Sequence, residues 1–345
     1  MIPFVKPNKP DMSLFNKLLE DSIAANHYTN FGINHNKLRA KFQEMTGIQD
    51  VVLACNATVI LDGLHALLAG DCDIAYLPSF TFPATNQGCH SSIERRYSET
   101  IGTGDHIGRP KWDDYNKSDY SAYAVTVNPF GSFTAPIERP DSMEYWVVDN
   151  AAGLLAQAKD WIAEGADAVV YSLHATKILS ACEGGVVFFN NKDLYNKYTK
   201  FINFGIEFRE DGTRKSGHRG SNHKMSELSA AWCLMNLERY DEDIGQKEKV
   251  AKTYSDFCIQ NKIPHIKSIQ SFWLLGTVNN TIIQKVAKLD HDIEVKPYYE
   301  KLRLTYRDPV TTLFNDNGFC LPTYPHEDIS KVLKMLEDFK SKDLI

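Results

Sequence analysis

The chain has no apolar run of the ~18 residues that a membrane-spanning helix needs, no C-x-x-C pair and no block rich in lysine and arginine. The first absence argues against a helical membrane span. The second, with cysteines scattered at Cys55, Cys72, Cys89, Cys182, Cys233, Cys258 and Cys320, argues against a disulfide framework or a zinc site and suits reduced thiols. The third, with 38 Lys+Arg against 44 Asp+Glu and a formal net charge of −6, argues against a nucleic-acid partner. Internal repeats, low-complexity tracts and Gly/Ser linkers are lacking too. The opening segment, Met1-Ile-Pro-Phe-Val-Lys-Pro-Asn-Lys-Pro10, carries no apolar signal core, so the expected location is the cytoplasm.

What is present is ordinary globular material, 43% hydrophobic and 24% charged over 345 residues, enough for two domains with a sizeable core. Asp11 is placed to cap a helix over residues 12–25, and a second helix carrying Leu38, Phe42 and Met45 is expected to close at Gly47. Strands are expected at 51–54, 74–77, 122–127, 145–148, 168–171 and 186–189. Several are continuous apolar runs, the pattern of a parallel sheet covered on both faces, and the expected fold class is α/β with a mostly parallel sheet. Longer helical patterns from Met225 onward, ending in a helix over 329–339, put the expected division at a large domain, 1–236, and a smaller C-terminal α+β domain, 237–345.

Four segments carry possible chemistry. Lys177 sits in the polar turn of Tyr171-Ser-Leu-His-Ala-Thr-Lys177 between two strand-like runs, where desolvation can lower its pKa and make its amine a nucleophile; an isolated loop lysine is otherwise simply solvated. Asn56-Ala57-Thr58 joins a strand to an apolar helix, which is either a plain N-cap or an anion site built on free N–H groups. Asp149 closes a strand end, either capping the next turn or holding a protonated heteroaromatic nitrogen. Of the rings in Pro78-Ser-Phe-Thr-Phe82, either is core or stacks on a planar ligand. His65, inside an apolar helix, reads as a satisfied core histidine. Anion cradle, aromatic, carboxylate and lysine, in that order and separated by strands, are the parts of a pyridoxal-phosphate site.

With these motifs the sequence resembles the DegT/DnrJ-type sugar aminotransferases, pyridoxal-phosphate enzymes of fold type I. The match runs over nearly the whole chain, through Lys6-Pro-Asn8, Thr29-Asn-Phe-Gly32, Val148-Asp149-Asn-Ala-Ala152, Ser172-Leu-His-Ala-Thr-Lys177, Glu183-Gly-Gly185, Asn203-Phe-Gly205, Gly220-Ser-Asn-His-Lys-Met-Ser-Glu227 and Leu321-Pro-Thr-Tyr-Pro325. The branch it looks most like forms dTDP-4-amino-4,6-dideoxyglucose. The resemblance implies that Lys177 binds pyridoxal 5'-phosphate covalently, that the cofactor cycles through pyridoxamine 5'-phosphate, and that Asp149 pairs with the ring nitrogen. It further implies that Phe82 stacks on the ring, that Ala57, Thr58 and Ser172 hold the phosphate, and that Asn222 reaches in from a second subunit of a homodimer. Tyr28, Asn30, His174 and Tyr324 are its substrate-side candidates. The implied reaction moves an amino group from L-glutamate to a nucleotide-linked keto-sugar for cell-surface polysaccharide. The alternatives are a 3-keto or GDP-linked (perosamine-type) acceptor, or a non-enzymatic cofactor- or sugar-binding protein. Lys177 argues against the related pyridoxamine-dependent dehydratases, which carry His there. Ala57 in place of the usual Gly, Ala152 in place of His or Gln, Lys224 in place of Arg and the turn Asn128–Gly131 depart from the family pattern.

Overall fold

The computed structural model describes residues 1–89, 91–104, 106–111, 120–132, 139, 143–208, 213–303, 308–324 and 329–345. Pro325 of the C-terminal motif and parts of the connection from Gly88 to Ser121 lie outside them.

Seven strands form the central sheet: β1 (Val51–Ala54), β2 (Ile74–Pro78), β3 (Glu94–Ser98), β4 (Ala122–Val127), β5 (Tyr145–Asp149), β6 (Ala168–Ser172) and β7 (Gly185–Phe189). Their order is β1-β7-β6-β5-β4-β2-β3. β7 is antiparallel to both neighbours and the other pairings are parallel. Since β1 and β6 each oppose β7, they run the same way, and the C-terminal ends of β1, β2, β4, β5 and β6 share one edge. All six expected strands form. The strand not anticipated is β3, whose Glu94-Arg-Arg-Tyr-Ser98 is mostly exposed or half-buried at the sheet edge and has no apolar run to reveal it.

Burial on both faces explains the continuous apolar strands. Leu53, Trp146, Val148, Tyr171 and Phe188 face one core, with Leu38 and Phe42 of α2 (Ile33–Thr46) against them. Alternate residues Val52, Leu77, Val147, Val170 and Val187 face the other, under α3 (Ala57–Leu68) and α6 (Lys192–Phe201). Each large side chain so buried contributes about 1.5–3 kcal/mol of transfer free energy. Asp11 caps α1 (Met12–Ala24), its Oδ1 accepting from the N–H groups of Ser13 and Leu14. α2 closes at Gly47, in the left-handed conformation, and Met45 points to solvent instead of the core. The short α4 (Ala84–Gln87) and α5 (Ala158–Ala163), with α7 (Glu227–Leu237), complete the layers, and a two-stranded ribbon joins β8 (Glu207–Phe208) to β9 (Arg214–Lys215).

From α8 (Tyr240–Asn261) onward the chain builds a second core around an antiparallel sheet of β10 (His265–Ile266), β11 (Phe272–Leu275) and β12 (Gly318–Leu321), with α9 (Asn280–His291), α10 (Pro309–Asn317) and α11 (Ile329–Ser341). Ile2 joins this core, bridging to Ile293, so the first residues of the chain pack on the last third. Phe80 and Phe130 of the central-sheet unit meet Trp273, Tyr299 and Phe314 in an aromatic cluster between the two cores. Among the described residues no helix is long and apolar enough to cross a membrane.

Candidate active site

The shared strand edge opens into a cavity of about 650 Å³. α3 begins there. Asn56 is its N-cap, with Oδ1 accepting from the Val59 N–H at 2.9 Å, while Ala57 and Thr58 occupy the first turn, where N–H groups have no intrahelical acceptor. Ala57 is helical, so its Cβ costs no backbone strain. The space is made by Gly185 of β7, where an added Cβ would stand 2.7 Å from the Ala57 nitrogen.

Asp149, the last residue of β5, is 4% exposed at the cavity floor. Its Oδ1 accepts from the Ala151 N–H at 3.0 Å, the turn-capping role, and its Oδ2 accepts from Thr85 Oγ1 at 2.7 Å. Burial raises its pKa above the ordinary value of 3.8, against the pull of Thr85, the Ala151 N–H and the Lys177 ammonium.

Lys177 lies in the loop joining the antiparallel strands β6 and β7. Hydrogen bonds from the N–H groups of Leu173 to the Gly184 carbonyl (2.8 Å), Ala175 to Cys182 (2.7 Å) and Ala181 to Leu173 (2.7 Å) close that loop into a hairpin. The residue is half-buried, and desolvation lowers its pKa below 10.5 while the Asp149 carboxylate opposes that fall. His174, two residues after Ser172, has its Nδ1 accepting from the Thr176 N–H at 3.2 Å. Its Nε2 lies 3.6 Å from Glu183 Oε1.

The cavity therefore brings together Ala57, Thr58, Phe82, Asp149, Ser172, His174 and Lys177, along with Ala152. The two aromatics of the Pro78–Phe82 segment part company: Phe80 is core at 1% exposure, whereas Phe82 is 54% exposed at the cavity wall. Tyr28, Asn30 and Asn222 are exposed and do not line the cavity of their own chain, and Tyr324 packs in the C-terminal core. His65 is a satisfied core residue, its ring nitrogens 2.8 Å from Tyr123 Oη and from the Thr85 carbonyl. Two contributors went unassigned in the sequence. Thr85 ends the Pro78–Thr85 segment, where the two rings are the conspicuous feature; Gln270 comes from a stretch without any motif.

A buried carboxylate bonded only to neutral donors, a desolvated lysine, an exposed ring and a helix N-terminus make a donor set that fits pyridoxal phosphate: cation partner, covalent anchor, stacking face and anion cradle.

The model of the DegT/DnrJ/EryC1/StrS aminotransferase family matches residues 142–337, and the chain belongs to that family. It is 29% identical over 272 residues to protein Rv3402c of Mycobacterium tuberculosis (73% of this chain, 64% of the relative). It is 28% identical over 255 residues to the dTDP-4-amino-4,6-dideoxy-D-glucose transaminase of Shigella dysenteriae (68% and 64%), so both matches span somewhat under two thirds of the relatives' lengths. The fold is that of the sugar aminotransferase CalS13 from Micromonospora echinospora, with a TM-score of 0.81 at 20% identity over 98% of this chain and 100% of that one.

Proposed function

We propose that the chain is a pyridoxal-phosphate-dependent aminotransferase that moves an amino group from L-glutamate to a nucleotide-linked keto-sugar, and specifically to C4 of dTDP-4-keto-6-deoxy-D-glucose. The observation that carries this reading is the convergence of Lys177, Asp149 and the α3 N-terminus on one cavity. The likeness to the Shigella transaminase favours the dTDP-linked acceptor.

When bound, pyridoxal phosphate supplies the electron sink for the carbanion at the donor's Cα. Asp149 would pair its carboxylate with the ring nitrogen and so hold a proton there. Thr58 and Ser172, with the first-turn N–H groups of α3, hold the phosphate. Phe82 would stack on the cofactor ring. Lys177, with its pKa lowered, serves as the base that takes the Cα proton and returns it as an acid. We place the division into units at 1–236 and 237–345, supported by the end of α7 at Leu237. A homodimer operating in the cytoplasm and supplying amino sugar for surface polysaccharide, with Asn222 serving the partner's cavity, completes the reading; the exposure of Asn222 away from its own cavity supports it.

The test is an acceptor panel. With L-glutamate and cofactor, dTDP-4-keto-6-deoxy-D-glucose should yield 2-oxoglutarate and a 4-amino sugar faster than its GDP- or UDP-linked counterparts. A faster GDP-linked reaction would move the assignment to the perosamine type, and no product from any acceptor would contradict the aminotransferase reading.

A further inference from the structure

We propose that Gln270 is a positioning residue that latches the Lys177 loop to the C-terminal unit and so sets where the Lys177 amine stands. The catalytic consequence rests on the aminotransferase reading; the latch itself does not. The Gln270 carboxamide spans Lys177, with Nε2 donating to the Thr176 carbonyl at 2.7 Å and Oε1 accepting from the Ile178 N–H at 3.0 Å. One side chain thus pairs with the peptide groups on either side of Lys177, as a neighbouring strand would. A primary amide is the side chain that offers donor and acceptor side by side; a carboxylate has no donor and an aliphatic chain has neither.

Gln270 is itself fixed. Its N–H donates to Ser268 Oγ at 3.0 Å, and its carbonyl accepts from Thr323 Oγ1 at 3.1 Å. Ser268 in turn donates to the Phe130 carbonyl, and the Phe130 N–H donates to Tyr299 Oη at 3.1 Å. The segment leading into β11 is thereby tied to the central-sheet unit at two points, the turn after β4 and the lysine hairpin. Within that hairpin the Lys177 N–H reaches the His174 carbonyl at 2.9 Å, and among the described residues Gln270 is the hydrogen-bond partner of both flanking groups. A separation of the two units by about 1 Å would stretch both bonds beyond hydrogen-bonding distance. The lysine is therefore held in place while the units are closed, and a misplacement on that scale is enough to slow proton transfer.

The test combines hydrogen exchange in the full-length protein without cofactor and steady-state kinetics of the loaded enzyme, for wild type, Gln270→Ala and Gln270→Glu. In Gln270→Ala the Ile178 amide should exchange about ten-fold faster or more while β6 and β7 keep their protection. Its kcat should fall roughly ten-fold or more with KM for L-glutamate within about two-fold. Gln270→Glu keeps the acceptor for Ile178 but turns an oxygen toward the Thr176 carbonyl, so it should retain Ile178 protection and show an intermediate kcat. Unchanged Ile178 exchange in Gln270→Ala, a loss confined to KM, or a loss of protection spread through β6 and β7 would each overturn the proposal. If loaded wild type does not transaminate, the functional reading fails and the exchange measurement still decides the latch.

Discussion

Thr85 Oγ1 donates to Asp149 Oδ2 at 2.7 Å and lies 2.6 Å from Thr81 Oγ1, so the buried carboxylate of the cavity floor hangs on a hydroxyl chain instead of an ion pair. That arrangement tolerates an amide. In Asp149→Asn, Oδ1 can keep the Ala151 N–H, Nδ2 can donate to Thr85, and the Thr85 proton can turn to Thr81. The folded carboxyl has its pKa raised above 3.8 by burial. The folded state therefore binds the proton more tightly, and the group's contribution to stability declines as pH rises from 3.8 through the raised value. The expected outcome is a cofactor-free melting temperature at pH 7 equal to or above that of wild type, with transamination down about a hundred-fold or more. A lower melting temperature with activity intact would contradict this role for Asp149.

Lys177 titrates in the opposite sense. Desolvation lowers its folded pKa below 10.5 and Asp149 partly restores it. Between the folded value and 10.5 the unfolded chain holds more protons, so this group's contribution to stability rises as pH climbs through that window and is smallest below the folded value. In the cofactor-free protein, the pH profile of Lys177 labelling by an amine reagent, read by peptide mapping, should have its midpoint below that of surface lysines. In Asp149→Asn the midpoint should drop further, because the opposing charge is gone. An upward move would reverse the sign of the coupling.

Glu227 gives a purely structural prediction. It opens α7 at 1% exposure and accepts from Ser22 Oγ (2.8 Å), the Asn34 N–H (2.7 Å) and the His35 N–H (2.8 Å). It thus caps α2 in place of Gly32, the N-cap residue, where an added Cβ would stand 2.6 Å from Glu227 Cδ. Glu227→Ala strands buried donors and should cost about 3 kcal/mol or more in urea unfolding. Glu227→Gln, which keeps one acceptor oxygen, should cost less. No loss in Glu227→Gln beside a large loss in Glu227→Ala would show that packing, not capping, sets the effect.

The central sheet was readable because strands buried on both faces are apolar throughout, and the Lys177 hairpin because its polar turn interrupts two such runs. β3 was not, since an edge strand with one solvated side needs no apolar pattern. Asp149 was found by its place at a strand end. Thr85 and Gln270 were not assigned, because they act through single hydrogen bonds to a side chain and to peptide groups, which leave no periodicity or motif behind. Tyr28, Asn30, Asn222 and Tyr324 entered through the family resemblance alone, and one chain's fold does not carry them to its own cavity.

The most direct test of the account is the absorption spectrum of the purified protein with pyridoxal phosphate, before and after L-glutamate, for wild type and Lys177→Ala. Wild type should show a band at the visible edge that L-glutamate converts to a pyridoxamine-like band, and Lys177→Ala should lack the starting band. A wild-type spectrum indistinguishable from that of Lys177→Ala would contradict the assignment of Lys177, and with it the aminotransferase.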